Sequence, residues 1–336
     1  MHSHNVQGKK SVIAALSGNV FVTAIKTVAA LFSGSASMFA ESVHSIADTL
    51  NQSLLLIGLK RSKRPADTSR GYGYGIERFF WSLISACGIL FIGAGVSVYH
   101  SIDSLIRHES SVVYNFNYFS IAVLCVSFIV ESVTLFIAYK EILGDREFSM
   151  KIFADADPVT LAVVYEDGAA VIGVLVALFA QFLIYYTGND IYDAVGGIII
   201  GLILGVLAVI LIKKNHLYII GKSLDKKESE EIVEFLLEDP CIENVSEFKS
   251  VAVDVNKYRI YTTVEWNGTP LYEEIYEAGD LKEEFENIKN DFGKFTKLMF
   301  KTTDRIPRLI GRRIDEIEKR IIKRFPFISY VDIEIN

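Results

Sequence analysis

The chain has 336 residues, 51% of them hydrophobic and 22% charged, with a net charge of −7 and a mean hydropathy of +0.31. This composition excludes a disordered chain, and the small negative charge gives no indication of nucleic-acid binding. Of the 75 charged residues, residues 1–221 hold 31 and residues 222–336 hold 44. The first part therefore has the composition of a membrane protein, and the second that of a soluble domain.

Six apolar stretches in residues 11–214 are long enough to cross about 30 Å of hydrocarbon as helices. After a polar tail at residues 1–10, they cover residues 11–33, 36–59, 79–103, 115–139, 158–186 and 191–212. Thirteen Lys and Arg residues lie in the tail, in the links after the second and fourth spans, and after the sixth span, whereas the opposite side has only Arg107. The positive-inside rule then predicts that both termini are cytosolic. The first ten residues do not resemble a transit peptide, which favours a prokaryotic inner membrane.

Residues 222–336 predict a small cytosolic α+β domain with the element order αββαβ. The predicted helix at 226–238 ends at Asp239-Pro240, and a tight turn at Asn256-Lys257 joins two strands at 245–255 and 258–266. The charged stretch that follows predicts two or three helices, with breaks near residues 279, 293 and 307. The alternation of apolar and acidic residues at 327–335 predicts a last strand.

Seven acidic or basic side chains lie inside the predicted spans and away from the span ends, and a charge at the centre of a span costs about 2.5–3.5 kcal/mol. Such residues normally face a cavity or a partner and mark a pathway. They are Lys26, Glu41, His44, Asp48, Glu131, Glu166 and Asp167. In the second span, Glu41, His44, Asp48 and Asn51 follow the spacing i, i+3, i+7 and i+10, which places them on one stripe of a helix.

The spacing of His44 and Asp48, four residues apart, lets two side chains of one helix bind the same metal ion. At 1.5 Å per residue, Asp48 lies about 18 Å from the outer end of its span and Asp167 about 14 Å from the inner end of the fifth, so both reach mid-membrane. Nitrogen and oxygen ligands suit Zn²⁺ and, with more oxygens, Mn²⁺ or Fe²⁺. Two structural alternatives stay open: a helix-bridging pair for His44 and Asp48, and an ion pair between Asp167 and Lys26.

Four sequence motifs are distributed over most of the chain. They are AESVHSIADTLNQ in the second span, RPADxxxxYGYGxERFFW in the next link, YEDGAAVIG in the fifth span and RFPxIxYVDIEI at the C-terminus. Together they resemble the cation diffusion facilitator family, most closely its mitochondrial zinc transporter branch. The resemblance implies an all-α transmembrane domain of six helices, a metallochaperone-like cytosolic domain that dimerises, and export of a divalent cation in exchange for protons.

The resemblance also implies a transport site with one ligand pair in the second span and another in the fifth. His44 and Asp48 match the first pair. In the second pair Asp167 matches, whereas Val163 stands where a ligand is usual. The fourth ligand is then expected from Glu166, from Glu41, from water or from a backbone carbonyl.

Two other groups of residues bear on the expected activity. His44 and Glu131 are candidates for proton coupling, because an imidazole titrates near neutral pH and Glu131 is alone in the fourth span. No histidine follows His216, so no metal site is predicted in the cytosolic domain, and Asp332 and Glu334 are expected to face solvent on an edge strand.

The sequence thus predicts a proton-coupled zinc exporter that works by alternating access at a His/Asp site in the membrane. The metal is its substrate, no resident cofactor is predicted, and the expected partners are metal ions, protons, the lipid bilayer and a second copy. One alternative is a manganese or iron(II) exporter of the same family, and another is a receptor or scaffold that transports nothing. A metal-dependent hydrolase is disfavoured because the sequence contains no H-E-x-x-H and no nucleophile beside a base, so an enzyme is not expected.

Overall fold

The chain divides into two units, Met1–Ile219 and Ile220–Asn336, in a computed structural model. The structure describes the backbone of residues 4–106, 118–143, 158–273 and 278–336, and the side chains of residues 19–106, 118–140, 164–271, 273 and 282–336. Arg107 and the side chain of Val163, both used in the sequence predictions, lie outside these ranges.

The described part of the first unit consists of helices and the links between them. Its helices are α1 (His4–Ser33), α2 (Ala36–Ser62), α3 (Glu77–Ile106), α4 (Tyr118–Leu143), α5 (Pro158–Thr187) and α6 (Ile191–Ile219). Four of them, α3 to α6, are long and apolar enough to cross a membrane. In α1 the described apolar segment, Asn19–Ser33, is shorter, and the charged residues of α2 lower its hydropathy. The first unit is therefore a helical membrane domain, with four spans established by length and composition.

Helix α2 lies among the other helices and contacts α1, α3, α5 and α6. Near its N-terminal end, Met38 packs with Leu124 of α4 and Val174 of α5 in a buried cluster. Farther along, Ala47 belongs to a second cluster with Leu204 of α6. Ile89 and Ala94 of the same cluster lie in a π-helical segment of α3, Ile89–Val96, a local geometry that is frequent at functional sites. Both clusters together hold the polar stripe of α2 inside the unit.

The second unit has a three-stranded sheet with helices. Its elements are α7 (Lys226–Leu237), β1 (Ile242–Asp254), β2 (Lys257–Trp266), α8 (Gly268–Glu273), α9 (Ala278–Ile288), α10 (Phe292–Arg324) and β3 (Ile328–Ile335). The sheet order is β1-β2-β3, with β2 antiparallel to β1 and parallel to β3. Alternate residues of the central strand are buried, and Ile260 and Val264 form the core with Ile317 and Ile321 of α10.

Two local features of the second unit bear on the predictions from sequence. Asn256, at the predicted turn, has a positive φ of 50°, as a tight hairpin connection requires. The predicted break at Pro307 is wrong, because α10 continues through this residue to Arg324. Proline removes one backbone hydrogen bond, and the long helix tolerates this loss because Pro307 lies on an exposed part of its surface.

Candidate functional site

The centre of the site is the His44–Asp48 pair on α2. His44 is 1% exposed, and its Nε2 lies 3.2 Å from Oδ2 of Asp48. This contact does not have the geometry of a hydrogen bond, and neither ring nitrogen of His44 has another partner among the described residues. Because buried polar atoms normally have partners, an unpaired imidazole beside a carboxylate indicates a place for a ligand. The helix-bridging alternative is not seen, since the His44 ring forms no hydrogen bond to another helix in the described part of the chain.

Helix α5 presents two further carboxylates toward this pair. Glu166 accepts a hydrogen bond of 2.6 Å from Nδ2 of Asn51, one turn beyond Asp48 on α2. Asp167 interacts with the Thr134 side chain of α4. Both carboxylates are close enough to act electrostatically on Asp48. Among the side chains that the structure describes, however, no three His, Cys, Asp or Glu residues converge closely enough to hold one metal ion.

In this conformation His44 and Asp48 are already paired on α2, and the carboxylates of Glu166 and Asp167 on α5 lie nearby. A metal ion bound at His44 and Asp48 would gain its remaining ligands only if the α5 carboxylates approached this pair more closely. Such an approach is chemically favoured, because bringing several carboxylates together is costly without a cation and favourable with one.

A buried ion triad connects three helices. Nζ of Lys26 on α1 lies 2.7 Å from Oε2 of Glu41 on α2 and 2.6 Å from Oε1 of Glu131 on α4. Lys26 and Glu41 are fully buried, and the Glu131 side chain is 12% exposed. The predicted alternative, in which Lys26 pairs with Asp167, is therefore not observed. Glu41 reaches the triad beneath Gly173 of α5, where any larger residue would collide with the Glu41 carboxylate.

The N-terminus of α2 is fixed by a carboxylate from α6. Asp193 is 4% exposed and accepts a 2.7 Å hydrogen bond from Oγ of Ser35, together with hydrogen bonds from the backbone N–H of Ala36 and from the hydroxyl of Ser37. Nε2 of Gln181 on α5 donates a further bond at 3.3 Å. Because the first N–H groups of a helix have no partner within the helix and favour a negative charge, Asp193 holds α2 against α6.

The link between α2 and α3 forms a local turn. Asp67 accepts hydrogen bonds from the hydroxyl of Tyr74 at 2.8 Å and from the backbone N–H groups of Ser69 and Arg70. The bond from Tyr74, followed by that from Arg70, lowers the pKa of Asp67. These contacts are internal to the link and fix its turn.

In the second unit, the two acidic residues of the last strand contact the neighbouring strand. Asp332 accepts a bond of 2.7 Å from Nε of Arg259, and Glu334 one of 2.7 Å from the Tyr261 hydroxyl. Strand β3 is at the edge of the sheet, as predicted. Both carboxylates therefore have protein partners and stabilise the pairing of β2 with β3.

Sequence reasoning did not identify the role of Asp193 or the partners of Lys26. The sequence does contain a weak indication of the first: Ser35 is a favourable N-cap residue before α2, and Asp193 stands in the first turn of α6 after a short link. For Lys26 there was no such indication, because Glu131 is 105 positions away.

Comparison with known proteins gives consistent findings over nearly the whole chain. Residues 12–220 match the family model described as the cation efflux transmembrane domain. The chain is 32% identical to the proton-coupled zinc antiporter SLC30A9, mitochondrial, of Mus musculus over 334 residues, which are 97% of this chain and 58% of that protein. It is 33% identical to metal tolerance protein C4 of Arabidopsis thaliana over 98% of this chain and 73% of that protein. The chain thus spans less than two thirds of the mouse relative.

Proposed function

The chain belongs to the cation efflux family, also called cation diffusion facilitators, and on this premise we propose that it exports Zn²⁺ from the cytosol in exchange for protons. The observation that carries the proposal is the buried His44 ring, which has no hydrogen-bond partner in the described part of the chain and lies 3.2 Å from Asp48. The printed name of the mouse relative, a proton-coupled zinc antiporter, supports the choice of metal and the coupling to protons.

We propose His44, Asp48 and Asp167 as three ligands of the transported ion. Glu166 is the preferred fourth ligand. Its Oε1 accepts the hydrogen bond from Asn51, and its second carboxylate oxygen can bind the metal ion. Glu41 was a candidate from sequence, but its negative charge is balanced by a buried ion pair with Lys26, whereas Glu166 is bonded only to a neutral amide, so we assign Glu41 to the triad instead.

The transport cycle that this ligand set supports begins with the site open to the cytosol. There the deprotonated carboxylates and the neutral imidazole bind Zn²⁺, since a metal displaces protons from its ligands. After the helices rearrange and the site opens outward, protons compete for the same groups and the ion leaves. His44 is the preferred proton carrier, because its ordinary pKa is closest to neutral, and Glu131 is a second candidate.

The proposal includes the surroundings of the site. We propose six membrane-spanning helices with both termini in the cytosol, and a homodimer formed through the second unit. A prokaryotic inner membrane was predicted from sequence, whereas the printed name of the mouse relative includes the word mitochondrial. Fractionation of the host cell with an epitope tag on the chain decides which membrane holds it, and cross-linking in that membrane tests the dimer.

Metal uptake into proteoliposomes tests the function. We expect uptake of Zn²⁺ by the unmodified chain and its loss in Asp48→Ala and Asp167→Ala, while Glu166→Gln weakens it. Glu238→Gln, at an exposed carboxylate of the second unit, is the matched control and should transport normally. Uptake that survives in Asp48→Ala would reject this site.

The same assay distinguishes the alternatives. A preference for Mn²⁺ or Fe²⁺ over Zn²⁺ would favour an oxygen-rich site completed by carboxylates. No uptake of any of these ions by folded protein would favour the receptor or scaffold.

A further inference from the structure

Helix α10 has an apolar stripe that the described residues cover along only half of its length. In its C-terminal half, Ile317 and Ile321 are buried in the core of the second unit. In its N-terminal half, the same stripe continues as large apolar side chains that are 39–83% exposed: Phe292, Phe295, Met299 and Ile306. At 100° per residue these positions lie on one side of the helix, so the covered and uncovered parts form a single stripe.

The opposite side of this half of α10 is basic. Its cations are Lys294, Lys297, Lys301, Arg305, Arg308 and Arg312, at intervals of three or four residues. Between Phe292 and Arg313 the helix has a single acidic residue, Asp304, which pairs with Arg308 at 2.7 Å. A helix with aromatic and aliphatic residues on one face and Lys and Arg on the other is typical of segments that lie in the interface of a bilayer.

We propose that residues 292–313, the basic half of α10, lie on the bilayer that the chain itself spans and bind its anionic phospholipids. The apolar stripe would enter the boundary between headgroups and acyl chains. Because a helix is about 10–12 Å wide, its cations remain within about one Debye length of the charged surface.

Two observations favour lipid over a second copy of the chain as the partner. Two copies that joined these stripes would leave both basic sides facing outward with no anionic partner, whereas an anionic bilayer supplies the opposite charge within about one Debye length of these cations. In addition, the second unit begins at Ile220, directly after α6, so the chain itself tethers this unit to the membrane. Lipid binding by α10 requires that α6 lies in the membrane, but it does not require that the chain transports a metal ion.

Spin labels on the full chain in lipid vesicles test the proposal. Two variants compare the two sides of the helix, Met299→Cys on the apolar stripe and Lys301→Cys on the basic side, in a background with Cys87, Cys125 and Cys241 replaced by alanine. The vesicles contain phosphatidylcholine with or without phosphatidylglycerol. With the anionic lipid, we expect the label at 299 to collide with oxygen and to be protected from a water-soluble nickel reagent. The label at 301 should show the opposite preference.

Charge reversal provides the matched comparison. In the 299-labelled chain, Lys294→Glu, Lys297→Glu and Arg305→Glu together should raise the nickel accessibility of the label to the value found at 301. The control variant changes the net charge by the same amount at three lysines outside α10: Lys226→Glu, Lys227→Glu and Lys257→Glu. It should leave the nickel accessibility of the label at 299 unchanged. Unaltered emission of Trp266 verifies that the second unit remains folded.

Two results would overturn the proposal. The first is a label at 299 that is open to the nickel reagent in both lipid mixtures, which would mean that the stripe faces water. The second is a label at 299 that is shielded from both reagents and shows dipolar coupling between two chains, which would mean that a second copy covers the stripe.

Discussion

Replacing Lys26 with methionine removes the only cation of the buried triad and leaves the carboxylates of Glu41 and Glu131 facing each other. Nζ of Lys26 bonds both at 2.7 and 2.6 Å, and neither Lys26 nor Glu41 is exposed to solvent. Removing one partner of a buried ion pair typically costs about 3–5 kcal/mol, because it leaves an uncompensated charge. For a domain of about 200 residues, each kcal/mol shifts the melting temperature by about 2–4 °C. We therefore expect Lys26→Met to melt about 6–20 °C lower.

The assay is thermal unfolding of the detergent-solubilised chain, followed by loss of the monodisperse peak in size-exclusion chromatography. Lys60→Met, at an exposed lysine near the end of α2, is the matched control and should change the melting temperature by less than about 2 °C, as surface substitutions usually do. Adding Glu41→Gln and Glu131→Gln to Lys26→Met should recover most of the loss, since the buried charges are then gone. The reasoning would be refuted if Lys26→Met melted at the same temperature as Lys60→Met and the triple variant were no more stable than Lys26→Met.

Three further predictions concern single contacts. Asp193→Ala leaves the first N–H groups of α2 without their acceptor and should lower the free energy of unfolding by about 1–3 kcal/mol, measured as a lower melting temperature. An unchanged melting temperature would show that Asp193 does not stabilise the N-terminus of α2. Asn51→Leu removes the donor to Glu166, so metal uptake should weaken while the fold persists, and full uptake would exclude this bond from the site. The carboxylate of Asp239 lies 3.0 Å from Nη2 of Arg313 and 2.7 Å from Nη1 of Arg320, both on α10. Burial alone raises the pKa of Asp239, but these arginines lower it below the ordinary value, so the stabilisation by this contact is present near neutral pH and lost as pH falls below about 4. Trp266 emission should report this acid transition, which Asp239→Asn should flatten.

The membrane helices and the sheet could be predicted from the sequence because their patterns are local. Apolar runs set the approximate positions of α3 to α6, and the strands of the second unit alternate in polarity along their own length. The stripe of His44, Asp48 and Asn51 follows from helical periodicity alone. Pro307 shows the limit of such reasoning, because the amphipathic pattern on both sides of it outweighs one lost hydrogen bond.

The contacts between helices could not be predicted, because they depend on how the helices pack. Several acidic residues inside the spans could have paired with Lys26. Lys26 pairs with Glu41 and Glu131 and not with Asp167 because of which faces of α1, α2 and α4 meet. Asp193 likewise reaches the N-terminus of α2 across 157 positions of sequence. Both cases involve a buried charge, so packing had to supply a partner, but the sequence did not specify which.

Simultaneous recording of Zn²⁺ and proton movement in the same proteoliposomes tests the central claim most directly. With dyes for both ions, a Zn²⁺ gradient should drive protons in the opposite direction, and a pH gradient alone should drive Zn²⁺. Both fluxes should disappear together in Asp48→Ala, because the metal and the protons use the same side chains. Zn²⁺ movement without proton movement, or unchanged fluxes in Asp48→Ala, would contradict exchange at the His44–Asp48 pair.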